Sequence, residues 1–227
     1  MKRAVILSLL AVWLVQLSAA TFEVRDSVLI IPAGVTKIDD YAFQYREDFK
    51  RIEFAEPCRV REIGRGAFSW CANLESVKLP RSVVDLNSQA FAYCDKLRAV
   101  TFPTRLQHVG ANCFSFCKAL EAVVLPASVN ELESYAFSEC VSMRRAVLPA
   151  NSKLLGELIF SGCRMLERIE INWSVPPEFD CNSTLFENTE NFMYGSCMLL
   201  VPQKAVERYK SAPGWKLFKE ISSIRND

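Results

Sequence analysis

Nine cysteines and one histidine are the residues of this chain best suited to chemistry, and their spacing limits what that chemistry could be. Cys71, Cys94, Cys117, Cys140 and Cys163 recur every 23 residues, while Cys58, Cys113, Cys181 and Cys197 lie off that lattice. Thiolates could ligate a metal, but no C-x-x-C pair is present, and side chains repeated at one lattice position run parallel instead of converging on a tetrahedral site. A disulfide meets the same objection, since it needs converging Cβ atoms and a torsion near ~90°. The regular cysteines therefore read as buried thiols acting as small hydrophobic side chains. Cys181 and Cys197 differ: both fall in an irregular C-terminal stretch, where a bridge would add about 3 kcal/mol of stability. Bridged and free states both remain open for this pair. His108, five residues before Cys113, is the only imidazole that could activate a thiol. It occupies an outward position beside Val109, whereas Cys113 fills a slot that most copies give to alanine, so the two read as surface and core residues. The chain has no G-x-S-x-G elbow, phosphate-binding glycine loop or H-E-x-x-H. Asp39-Asp40 reads as a solvated turn. The expectation is a non-enzyme with no metal, no cofactor and no small-molecule substrate.

The cysteine period belongs to a longer repeating unit that must position these side chains. Phe68, Phe91, Phe114, Phe137 and Phe160 carry the same 23-residue spacing, and Phe43 stands one copy earlier. One copy runs Leu74, Val77, Leu79, Pro80, Val83, Leu86, Ala90, Phe91, Cys94; a later one runs Leu120, Val123, Leu125, Pro126, Val129, Leu132, Ala136, Phe137, Cys140. A unit this short cannot bury its own apolar face, so the copies must stack into a solenoid. About seven rungs can be counted. The first starts near Ser27, the second carries an insertion at Glu56-Pro57-Cys58, and the seventh starts at Leu166 and leaves the pattern after Ile171. Within L-x-x-V-x-L the first, fourth and sixth residues point inward, and strands from successive copies pair in parallel. The residues after the proline form a second short extended stretch. The A-F-x-x-C segment returns the chain as a short helical or 3-10 turn.

The unit L-x-x-[VI]-x-[LF]-P-x-x-V-x-x-[IL]-x-x-x-A-F-x-x-C resembles the BspA-type leucine-rich repeat of bacterial and protist surface proteins, over residues 27 to 171. Departures are Ala55 in the proline position, and Cys113 and Ile159 in the alanine position. The resemblance implies a leucine-rich repeat solenoid with a parallel sheet on one side. It also implies adhesion to a host matrix or cell-surface protein through the repeat face.

The chain divides into residues 1–20, 21–171 and 172–227. Lys2 and Arg3, the apolar run Ala4 to Leu17 and Ser18-Ala19-Ala20 read as a signal peptide. Export is expected, to the cell surface, the medium or a periplasm, with no stable membrane span after its removal. No cysteine follows the cleavage site to anchor a lipid. Residues 21–171 are the solenoid. Residues 172–227 read as an atypical final rung and a cap, in which Pro202 opens a helix, Ala205 and Tyr209 share one face, and Trp215 and Phe218 cover the last open core. A formal net charge of +1 offers no basic stripe for nucleic acid.

With catalysis set aside, the surface remains. The third and fifth strand positions read Arg51 and Glu53, Ser76 and Lys78, Ala99 and Thr101, Ala122 and Val124, Arg145 and Val147, Arg168 and Glu170. Small or apolar residues at the centre, rimmed by charge, match the anatomy of a protein contact. Val28 and Ile30, in the same positions of the first rung, are expected to lie under the segment Phe22 to Val24. The second strand position alternates in sign as Lys50, Glu75, Arg98, Glu121, Arg144, Glu167 and reads as a register device. Two functions follow: a protein-binding and adhesion module, or a structural scaffold of the cell envelope with no external ligand.

Overall fold

Each copy contributes two short strands and a turn segment, and the copies stack in register. The computed structural model describes residues 22–149, 154–176 and 197–224; residues 1–20, read above as a signal peptide, and Cys181 lie outside them. After an N-terminal strand β1 (Glu23–Arg25), the L-x-x-V-x-L segments form β2 (Val28–Ile31), β4 (Arg51–Phe54), β6 (Ser76–Lys78), β8 (Ala99–Thr101), β10 (Ala122–Val124), β12 (Arg145–Leu148) and β14 (Arg168–Ile171). The stretches after the proline form β3 (Lys37–Ile38), β5 (Glu62–Ile63), β7 (Asp85–Leu86), β9 (His108–Val109), β11 (Glu131–Leu132) and β13 (Leu154–Leu155). Equivalent residues pair in parallel, as in Val77 with Val100 and Leu86 with Val109. The second set makes one six-stranded sheet. Inward residues at the first, fourth and sixth positions, such as Leu74, Val77 and Leu79, are buried at 0–3% exposure.

The first set is split into two halves that meet at β8 and β10. Pairing weakens after each rung whose sixth residue is phenylalanine. β2 pairs with β4 over four positions, but β4, ending in Phe54, pairs with β6 over two. β8 is followed by Phe102, whose ring lies edge-on to Phe114 at 5.7 Å, and β8 forms no ladder with β10 among the described residues. A ring needs more depth than leucine, and the strand that carries it is held off its neighbour.

On the third side the structure chooses turns, with no helix in the A-F-x-x-C segments among the described residues. Two residues per coil adopt left-handed φ, such as Gln89 (60°) and Tyr93 (61°), or Asn112 (54°) and Phe116 (59°). This makes alternate backbone donors face opposite ways. The N–H groups of Gln89, Phe91 and Tyr93 donate to the carbonyls of Ala111, Cys113 and Ser115 on the next coil at 2.8–2.9 Å. Those of Ala90 and Ala92 close onto Asn87 and Gln89 within their own turn, both at 3.1 Å. A helix would turn its hydrogen bonds inward, along its own axis, and leave the coils without these main-chain bonds on this side.

The phenylalanines form one inner stack. Successive ring centroids from Phe43 to Phe160 are 5.1, 5.2, 5.3, 5.3 and 5.9 Å apart, with ring planes within 14° of parallel. The cysteines serve this stack. The thiols of Cys71, Cys94, Cys117, Cys140 and Cys163 donate to the carbonyl oxygens of Phe43, Phe68, Phe91, Phe114 and Phe137, one coil back, at 3.1–3.2 Å. Cysteine is small enough for the site and still carries a donor. All five are buried free thiols. Burial pushes the Cys71, Cys94 and Cys140 thiols well up from their ordinary range, and does the same to Cys113. A raised thiol stays protonated at alkaline pH where an ordinary cysteine, near about 8.5, ionises and reacts. In the native protein an alkylating reagent at mildly alkaline pH should therefore modify half-exposed Cys58 and spare Cys94 and Cys140, by peptide mass mapping. Labelling of Cys94 or Cys140 before unfolding would contradict this packing.

The corner after the second strand has a two-coil rhythm. Its column reads Asp39, Gly64, Asn87, Gly110, Glu133, Gly156. A Cβ on Gly110 would sit 2.6 Å from the Ser88 nitrogen and 2.8 Å from the Asn87 carbonyl carbon, so the coil above the asparagine requires glycine. The alternate residues use their side chains: Asn87 donates to Glu62 at 2.7 Å, and Glu133 accepts the Ala111 N–H at 2.9 Å.

Both ends are closed. β1 pairs antiparallel with β2 through a turn in which Asp26 and Ser27 are left-handed (φ 48° and 61°), the geometry of a tight hairpin. The N-terminal segment thus lies beside Val28 and Ile30 as an edge strand, not over them as the sequence suggested. Phe22 instead meets the end of the ring stack, edge-on to Phe43 at 4.9 Å. At the other end β15 (Met198–Val201) adds in parallel to β14, and β16 (Glu220–Ser223) adds to β15. Between them Pro202 opens a 3-10 turn (Gln203–Ala205), and helix α1 (Val206–Ser211) follows. Pro202 therefore starts this turn and not the α-helix. Ala205, Tyr209, Trp215 and Phe218 are buried at 0–4% exposure, with Tyr209 edge-on to Trp215 at 5.2 Å. Cys197 is a buried free thiol, pushed up to about 12 by burial. Its partner in the pairing considered above, Cys181, is outside the described residues.

Candidate protein-binding face

Strand alternation carries the third and fifth residues of each rung outward, and the pairing register sets them side by side. Arg51, Ser76 and Ala99 form one row on β4, β6 and β8; Ala122, Arg145 and Arg168 continue it on β10, β12 and β14. In the second row Lys78 pairs with Thr101, and Val124 with Val147 and then Glu170. Ala99, Thr101, Ala122 and Val124 are exposed, Val124 at 52%. Arg51, Glu53 and Lys78 are exposed on one flank, with Ser76 half-buried between them.

The two charged flanks behave differently. On the β12–β14 side Arg145 grips Glu170 through two bonds of 2.8 and 3.1 Å, and Arg168 approaches the same carboxylate at 3.4 Å. Glu170 is only 16% exposed and keeps both cations fixed beside Val147. On the β4–β6 side Glu53 and Lys78 make no ion pair among the described residues. That flank leads into a cleft of about 600 Å³ lined by Glu53, Phe54, Cys58, Lys78 and Arg81, beside the inserted Glu56-Pro57-Cys58. One rim thus has its two cations tied to a single carboxylate, and the other keeps its charges available to water or to a partner.

The alternating second position closes in two places. Lys50 meets Glu75 at 3.2 Å, and Arg144 pairs with Glu167. Arg98 and Glu121 flank the interruption between β8 and β10 and make no ion pair among the described residues. Exposed pairs of this kind contribute about 0–1 kcal/mol each, so they select register more than they stabilise.

β15 extends the face beyond the sequence-based assignment. Met198 and Leu200 continue the two outward rows next to Arg168 and Glu170 and are half-buried. The signal was present in Leu199-Leu200-Val201-Pro202, which repeats Val77-Lys78-Leu79-Pro80 without the phenylalanine and cysteine that make the other copies conspicuous.

The groups considered for catalysis are not brought together. His108 Nε2 lies 2.9 Å from Glu133 Oε1, whereas Cys113 is fully buried with a raised thiol. Asp40 caps the Arg65 N–H at 2.9 Å in an exposed turn. No group of His, Cys, Asp and Glu among the described residues could hold a metal ion. Among the same residues no helix is long and apolar enough to cross a membrane.

Stacked coils with a parallel sheet along one side define a leucine-rich repeat solenoid. The family model for the BspA type leucine rich repeat region, in six copies, matches residues 25–144 and 61–193, and the chain belongs to that family. Among solved structures it is similar to the leucine-rich repeat protein of T. pallidum, with 28% identity and a TM-score of 0.58 over 67% of this chain and 82% of that one. A leucine-rich repeat protein from Bacteroides ovatus shares 22% identity with a TM-score of 0.44, over 87% of this chain and 61% of that one. None of the curated proteins matches.

Proposed function

We propose that the chain is an exported, non-enzymatic module that binds a protein through its strand face. The carrying observation is the exposed Ala99, Thr101, Ala122 and Val124 at the middle of that face, flanked by the fixed Arg145–Glu170–Arg168 cluster and by Glu53 and Lys78, which have no ion pair among the described residues. Flat apolar groups can be desolvated at small cost, while the charges orient a partner and penalise wrong ones. The charged start, apolar run and small-residue site of Met1 to Ala20 support export. Resemblance to BspA-type surface proteins supports a host matrix or cell-surface protein as the partner. The reading is tested with immobilised residues 21–227 exposed to surface and matrix extracts of host cells. Saturable capture of a defined protein by the native but not the heat-denatured chain is the expected result; equal retention by both would overturn it.

A further inference from the structure

A second column of rings stands outside the inner stack. Two residues beyond each phenylalanine, Tyr45, Trp70, Tyr93 and Phe116 stack with centroids 5.9, 4.1 and 4.6 Å apart and planes 28°, 5° and 6° from parallel. Tyr45 is 64% and Trp70 43% exposed, and Tyr93 and Phe116 are half-buried. The same position holds Glu139 and Gly162 in the next two coils, so the ladder has four members. Its backbone is fixed: all four residues are left-handed, and their N–H groups donate to Ser69, Ala92, Ser115 and Ser138 of the next coil at 2.8–3.0 Å.

Stacking covers the ring faces within the ladder and turns ring edges toward water. Binding a sugar by stacking needs an open face, which a ladder offers only at its ends. A row of edges suits another apolar row. Two residues beyond the rings runs Glu47, Ala72, Asp95, Lys118, acidic at one end and basic at the other. Glu47 is exposed and makes no ion pair among the described residues. Among the described residues Lys118 pairs only with the exposed Asp95, at 3.0 Å.

We propose that two copies of this chain pair antiparallel along this ladder. A two-fold axis between Trp70 and Tyr93 sets the Tyr45 edge of one copy against Phe116 of the second, and Trp70 against Tyr93. The spacings of 5.9, 4.1 and 4.6 Å differ between the two outer steps by 1.3 Å, so in the reversed copy the four rings meet to within about that distance. The same axis brings Glu47 to Lys118 of the second copy, twice per dimer. Such self-complementarity is what an isologous contact requires. The ladder lies on the turn segments, so the strand face of each copy stays free and the pair can engage a partner bivalently. The pairing itself is independent of the strand-face reading.

Sedimentation velocity of residues 21–227, under reducing conditions so that Cys58 cannot cross-link copies, tests the proposal over about a hundredfold concentration range in the micromolar region expected of small contacts. The parent should pass from monomer to dimer. Trp70→Asn with Tyr93→Asn should stay monomeric, asparagine being tolerant of left-handed φ. Glu47→Lys and Lys118→Glu should each weaken dimerisation about tenfold, worth about 1.4 kcal/mol, and the double exchange should restore it. The exchange leaves every ring in place and decides the matter even if the ring variant folds poorly. A parent that is monomeric throughout, a dimer indifferent to loss of the rings, or a double exchange no better than its single members would each overturn the proposal. So would a monomer whose tryptophan fluorescence responds to an oligosaccharide or a proline-rich peptide.

Discussion

Phe114→Ala is expected to cost about 3–5 kcal/mol of stability, the range for removing a large buried aromatic side chain. The ring is fully buried between Phe91 and Phe137, 5.3 Å from each, and takes an edge contact from Phe102. Collapse around the cavity is resisted because the flanking rings are held by main-chain bonds between coils, Phe91 N–H to Cys113 at 2.8 Å and Phe137 N–H to Ile159 at 3.0 Å. In a stack whose stability is the sum of neighbour contacts, a central hole weakens two interfaces at once. Phe43, which has one stacked neighbour and the exposed Phe22, should be less sensitive. Denaturant unfolding monitored by circular dichroism measures the difference; a parent-like midpoint for Phe114→Ala would remove this residue from the core.

The second large effect concerns binding and leaves the fold alone. Ala122→Glu together with Val124→Glu is expected to weaken capture of the strand-face partner by about two orders of magnitude or more, since an uncompensated carboxylate at the centre of a contact must be desolvated. Both positions are exposed, so unfolding should shift by no more than about 0.5 kcal/mol. Arg145 lies directly beside Ala122, but its charge is already shared with Glu170, so it can offset only part of the charge of two new carboxylates. Surface plasmon resonance with the captured protein reads the loss. Retained affinity in a variant with parent-like unfolding would move recognition off these strands, while leaving the dimer contact untouched.

Inward positions were legible because a 23-residue period constrains them all alike. The columns of Phe91, Cys94, Leu97 and Val100, and the two short strands per coil, follow from it directly. Features whose partner sits one coil away were harder to see. Nothing local to Ala90-Phe91 shows that the Phe91 N–H bonds to Cys113, so a short helix was a reasonable expectation for a segment that forms left-handed turns. The thiol of Cys94 serves the Phe68 carbonyl for the same reason. Charge alternation through Glu75 and Arg98 reads as continuous in the sequence, but among the described residues only Lys50–Glu75 and Arg144–Glu167 close into ion pairs, and the sheet itself breaks between Arg98 and Glu121. Outward rings at Trp70, Tyr93 and Phe116 share the period and were overshadowed by the stronger phenylalanine and cysteine columns. The outward residues from Arg51 to Glu170 lie on strands β4 to β14; their role as a contact rests on the proposal made above.

Amide hydrogen exchange of the turn segments tests the continuous stack most directly. The N–H groups of Phe43, Phe68, Phe91, Phe114 and Phe137 each bond to the next coil at 2.8–3.0 Å, and they should exchange slowly and together, at rates set by opening of the whole solenoid. Fast exchange at these amides, or separate rates for Phe91, Phe114 and Phe137, would show that the coils do not share one core.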